Sequence, residues 1–148
     1  MVSNIETLNI LLVEDDMADQ KLVKSMIEKQ DVAYNLCIAG SAEEALDALR
    51  SGKCSNGDFA RPDLILLDLN MPGMGGRECL KQIKTDEELK QIPVVILTCS
   101  VSETDILESY RLQAAGFVTK PASLVDLERV IKEIVEYWSV LCRLPCKR

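Results

Sequence analysis

Asp68 stands between Leu67 and Leu69, in the middle of the run DLILLDLNMPG that spans residues 63–73. A carboxylate set so close to an apolar core is costly unless a cation or hydrogen bonds compensate it. Three more acids, Glu14, Asp15 and Asp16, follow the apolar run LNILLV. Thr98 closes PVVILT, and Lys120 follows FVT. If each run is a strand and the strands are parallel, all of these residues reach one edge of a sheet. The separations fit repeating strand–helix units: 53 residues from Asp15 to Asp68, 30 to Thr98 and 22 to Lys120.

The chemistry open to such a set is narrow. Crowded carboxylates repel one another and need a cation. Hard oxygen ligands in an incomplete cage suit Mg²⁺, which keeps several waters and shares its shell with a phosphate. A lysine beside them partly neutralises the acids and can pair with an incoming anion. A hydroxyl can donate to a phosphoryl oxygen, and a carboxylate can itself accept a phosphoryl group. Asp68, alone at the end of the central strand, is the best placed acceptor. Each residue also has a plainer reading. The acidic triplet could favour the N-terminus of a following helix, Asp68 could be an ordinary strand-end acid, and Lys120 before Pro121 could mark a turn. Their joint order separates the two accounts.

The elements that would position these residues alternate along the chain. Strands are expected at 8–13, 34–39, 63–68, 93–98 and 117–119. Helices are expected at 17–30 behind an Asp16 cap and from a Ser41/Glu44 capping box to about residue 51. Others follow at about 75–84, with a shorter one near 86–90, then from Ser102 to about Ala115, and at 124–138 behind Ser123. In the last helix Leu127, Ile131, Ile134 and Trp138 form the inner stripe. Residues 52–62 read as a long polar loop. The third strand has almost no polar alternation, as a strand covered on both faces requires. The fold class is therefore α/β: a flavodoxin-like (βα)5 doubly wound parallel sheet of strand order 2-1-3-4-5. Its site lies at the carboxyl ends of the strands.

Composition narrows the class further. A chain of 148 residues is expected to form one domain over 1–148, with a core at about 8–138 and an extension at 139–148. No apolar run reaches the ~20 residues needed to span a bilayer, and the start shows no secretory pattern. A net charge of −7 argues against sequence-independent nucleic-acid binding. There is no histidine, so Ser-His-Asp and Cys-His catalysis are excluded. The six cysteines form no Cys-x-x-Cys pair and are expected to be reduced, mostly buried thiols of a cytoplasmic protein. Cys142 and Cys146 are close enough in sequence to oxidise.

The segments ILLVEDD (10–16), LILLDLNMPGMGG (64–76), VVILT (94–98) and GFVTKP (116–121) resemble the CheY-like receiver domains of two-component response regulators. The resemblance implies that Asp68 is the phosphoacceptor. It also implies that Asp15 binds Mg²⁺ directly, that Glu14 acts through water, and that Asn70 contributes its backbone carbonyl. Thr98 then matches the switch hydroxyl, Lys120 the family's lysine, and Phe117 the switch aromatic that is often tyrosine. Gly75 departs from the pattern, which places Asp or Asn there, and a looser start to the following helix is expected. The long loop at 52–62 and the ending EYWSVLCRLP (136–145) are similar to the small response regulators of phytochrome kinases. By that likeness the partner is a sensor histidine kinase, with a phytochrome as the candidate, and no output domain follows. The likeness also implies a homodimer through the fourth helix, fifth strand and fifth helix.

The function so implied is a phosphorylation switch, a signalling protein that catalyses only its own phosphorylation and dephosphorylation. Two alternatives stand against it. A pseudo-receiver that docks without phosphorylation would have no need to keep the acids, Thr98 and Lys120 together. An aspartate-nucleophile phosphatase would want an acid two residues after the nucleophile, where this chain has Asn70.

Overall fold

The computed structural model describes residues 7–55 and 57–145. The elements run β1 (Leu8–Val13), α1 (Met17–Glu28), β2 (Tyr34–Ala39), α2 (Ala42–Ser51), β3 (Lys53–Cys54) and β4 (Gly57–Asp58). They continue with β5 (Leu64–Leu67), α3 (Gly75–Thr85), β6 (Val94–Thr98), α4 (Glu103–Arg111), β7 (Gly116–Thr119) and α5 (Leu124–Glu136). A π-helical turn over Tyr137–Leu141 extends α5. Strands β2-β1-β5-β6-β7 form one parallel sheet, the order expected from the sequence once the hairpin β3–β4 is set aside.

Alternation along the strands sends successive side chains to opposite faces, and both faces are covered. Leu11, Val13, Ile65, Leu67, Val94 and Ile96 meet α2 and α3 through Ala45, Leu46, Cys79, Leu80 and Ile83. On the other face Ile10, Leu12, Leu64, Leu66, Val95 and Leu97 meet α1 and α5 through Val23, Met26, Ile27, Leu127 and Ile131. All four residues of β5 are buried, so the strand that ends at Asp68 is held from both sides. No helix among the described residues is long and apolar enough to cross a membrane.

The helix starts follow local chemistry. Asp16 caps α1 by accepting from the amides of Ala18 and Asp19. Ser41 accepts from Glu44 N at 3.1 Å, while the Glu44 carboxylate takes the amide of Gly40, one residue outside the expected capping box. Ser123 caps α5 through Asp126 N.

Several expectations are corrected. The polar loop at 52–62 contains the antiparallel hairpin β3–β4, too short to announce itself by periodicity. The short helix near 86–90 is a series of turns held by Lys84 Nζ, which donates to the carbonyls of Lys90 and Ile92 at 2.9 and 2.6 Å. Helix α4 ends at Arg111 because Gln113 takes a left-handed backbone (φ 75°), three residues before Gly116. Helix α5 gives way to π geometry at Tyr137, and Val135 is buried on its inner face while Trp138 is only partly so. The cysteines are not all reduced: Cys37 in β2 is bonded to Cys54 in β3, with Cα atoms 5.9 Å apart. Cys79 is a buried free thiol whose pKa is pushed up to about 12 by that burial, and Cys99 is exposed. Cys146 lies outside the described residues, and so does the suggested Cys142–Cys146 pairing.

Candidate functional site

The strand ends deliver the residues that the sequence singled out. Glu14 and Asp15 follow β1, Asp68 follows β5, and Thr98 closes β6. Oxygen atoms of Glu14, Asp15 and Asp68 lie within 4.8 Å of one another. Glu14 and Asp68 are buried, and Asp15 is exposed. Two acids therefore face a solvent-open third, the partial oxygen cage that a hydrated divalent cation favours. The donor set fits such an ion.

Lys120, which follows β7, crosses to the acids. Its Nζ bonds the Glu14 carboxylate, lies 3.1 Å from Asp19 Oδ2 and 3.7 Å from Asp68 Oδ2. The peptide carries it there, because Lys120 N donates to Thr98 O at 2.7 Å and continues the β6–β7 ladder. Glu14 also accepts from Asp16 N at 3.1 Å, and Gln20 Nε2 holds its backbone carbonyl at 2.6 Å.

Charge in this cluster is unevenly shared. Burial pushes the Glu14 carboxyl up to about 7, although the Lys120 ammonium and the Asp16 amide pull it down; the nearby Asp68 adds to the rise. Burial alone would lower Lys120, but its bonds to Glu14 and Asp19 and the charges of Glu14 and Asp68 hold it above its ordinary value. A cation at the three acids would favour the ionised form of Glu14.

Asp68 Oδ1 accepts from Asn70 N at 3.2 Å, which orients the carboxylate. The Asn70 side chain turns to Thr98, its Nδ2 donating to Thr98 Oγ1 at 3.3 Å. Phe117 is half-buried against the α2–α3 side of the core, and its amide donates to the hydroxyl of Tyr110 at 3.2 Å. A phenol stands beside this position, supplied by α4.

The loop after Asp68 is shaped by glycine. Gly73 and Gly75 have φ of 75° and 79°, which side chains rarely adopt. Met74, at the cap position of α3, makes no side-chain cap bond. The side-chain cap that the family's Asp or Asn would offer is absent, but Gly76 packs this turn onto the strand end, so the start is not loose; the positive φ explains why glycine suits position 75. Gly76 packs against the strand end so closely that a Cβ there would overlap the carbonyl oxygen of Asp68 and stand 2.6 Å from Leu69 Cα.

Sequence reasoning misses Asp19. The expected helix 17–30 covers it, and only its place one turn after the Asp16 cap puts it near the edge where Lys120 arrives.

The chain is similar to known proteins over most of its length. The model of the response regulator receiver domain matches residues 10–132. Response regulator Rcp1 of Synechocystis is 40% identical over 137 residues, covering 92% of each chain. Chemotaxis protein CheY-3 of Vibrio cholerae is 33% identical over 88% of this chain and 94% of its own. The crystal structure of the phosphorylated cyanobacterial phytochrome response regulator RcpA superposes with a TM-score of 0.87 at 40% identity, covering 95% of this chain and 99% of that one. The Mn²⁺-bound form of Rcp1 gives 0.85 at 39% identity, over 94% and 99%.

Proposed function

Because the chain belongs to the response regulator receiver domain family, we propose that it is a phosphorylation switch whose acceptor is Asp68. The observation that carries this reading is the convergence of Glu14, Asp15 and Asp68 with the Lys120 ammonium on one sheet edge. Mg²⁺, when bound by Glu14, Asp15, Asp68 and the carbonyl of Asn70, would offset the repulsion of the acids and the charge of an arriving phosphoryl group.

The chain's own residues then do the following. An Asp68 oxygen attacks the phosphorus of a phosphohistidine on the donor; the new O–P bond forms as the P–N bond breaks, and the nitrogen leaves with its electron pair. Asn70 N keeps the other Asp68 oxygen turned aside. Lys120, already 3.7 Å from Asp68, pairs with the transferred group. Thr98 exchanges its contact with Asn70 for the phosphoryl oxygens, and Phe117 moves further into the core in response. The chain catalyses its own phosphorylation and dephosphorylation and no other reaction.

The donor we propose is a cytoplasmic sensor histidine kinase, since this chain supplies no histidine. A phytochrome kinase is favoured by the likeness to a structure described as a phytochrome response regulator. We also propose a homodimer through α4, β7 and α5. Leu107, Tyr110, Val125, Tyr137 and Leu141 leave large apolar surface exposed on those helices and the π turn.

Incubation with acetyl phosphate and Mg²⁺, read by intact mass, tests the central step. The wild-type chain is expected to gain one phosphoryl group and Asp68→Asn none. Equal, acid-stable gain by the variant would remove Asp68 from the role.

A further inference from the structure

Helix α4 is weakly embedded: Ser109 is the residue it buries. Polar contacts hold it instead. Asp105, in its first turn, is bonded on both carboxylate oxygens. Arg77 Nη2, from the first turn of α3, donates to Oδ1, and Ser100 Oγ donates to Oδ2 at 2.6 Å. Ser100 Oγ also accepts from Ser102 N at 3.2 Å, and Ser100 O accepts from Thr119 Oγ1 at 3.1 Å. Ser100 N lies 3.5 Å from Thr98 Oγ1. A continuous path therefore runs from Arg77 through Asp105 and Ser100 to Thr98.

We propose that the Arg77–Asp105 ion pair is a latch that holds the β6–α4 connection, and with it Thr98, in the arrangement of the unphosphorylated protein. The latch rests on the phosphoryl-accepting reading above. Thr98 Oγ1 is occupied by Asn70 Nδ2 and faces Ser100 N. Turning toward a phosphoryl group on Asp68 removes the acceptor from Ser100 N, and the connection at 99–102 must shift. Asp105 opposes that shift because it grips Ser100 and is itself gripped by Arg77. Arg77 belongs to a helix fixed by buried Gly76, Cys79, Leu80 and Ile83, so one end of the latch is anchored and the other is free to move. The Arg77 side chain is 46% exposed and that of Asp105 18%. A pair so placed biases an equilibrium by up to about fivefold and does not lock it.

The measurement is the affinity of the full chain for beryllofluoride, an acyl-phosphate mimic, with Mg²⁺ present, followed by the amide resonances of Thr98 and Ser100. Arg77→Gln and Asp105→Asn are each expected to bind the mimic about three- to fivefold more tightly than wild type. The double variant should bind no more tightly than either single one, and Arg77→Lys should restore wild-type affinity, because a single nitrogen makes the contact. Folded variants with wild-type or weaker affinity would overturn the latch, as would additive effects in the double variant. A wild-type chain that binds no mimic at all would overturn the phosphoryl-accepting reading, and the latch with it.

Discussion

Glu14 is the residue whose charge is most contested, since burial and Lys120 act on it in opposite directions. Its folded value of about 7 lies above the ordinary 4.5, so the folded chain holds this proton more tightly than the unfolded one. Stability from this group is therefore greatest below the unfolded value and is lost as pH rises from 4.5 to about 7. In chelator-treated protein the thermal midpoint of wild type should fall across that window more steeply than that of Glu14→Gln. Parallel slopes would place the proton elsewhere. The acids, Thr98 and Lys120 were legible in the sequence because each ends an apolar run, and a parallel sheet sends all such ends one way. Asp19 was not legible: its partner Lys120 is 101 residues away, and no periodicity reports a contact between a helix turn and a distant strand end. The Asn70–Thr98 bond was hidden for the same reason, as side-chain direction in a loop is set by its surroundings.

Among the elements, the start of α3 packs directly onto the end of β5. Its first turn presses on the Asp68 peptide at Gly76, and Gly76 N reaches Leu69 O at 3.3 Å. Gly76→Ala should cost about 1–3 kcal/mol through overpacking against backbone that cannot yield. Denaturant unfolding should show this as a lower midpoint, and an unchanged midpoint would mean that helix and strand separate without penalty. Strands β1 and β2 match the sequence reading residue for residue, because their apolar runs are bounded by polar turns. The hairpin β3–β4 escaped it, since two-residue strands carry no alternation. The end of α4 escaped it too: the helix was expected to run to about Ala115, but Gln113 adopts the left-handed conformation that ends it.

At the scale of the whole molecule, the two covered faces still leave large apolar side chains exposed on the outer helix surfaces of the described residues. Leu107, Tyr110, Val125, Tyr137 and Leu141 lie there, on α4, α5 and the turn that follows. Sedimentation equilibrium should find a dimer for wild type and a shift toward monomer for Leu107→Glu, a residue 50% exposed. A wild-type chain that sediments as a monomer throughout would remove the dimer. The opposite flank of the sheet raises a different matter. There β2 pairs with β1 alone, and the Cys37–Cys54 bond fastens a hairpin beside it. An open strand is a template on which a neighbouring chain can add its own strand. The Cys37–Cys54 bond is a covalent tie between that border strand and β3, and reducing it would release the hairpin from β2.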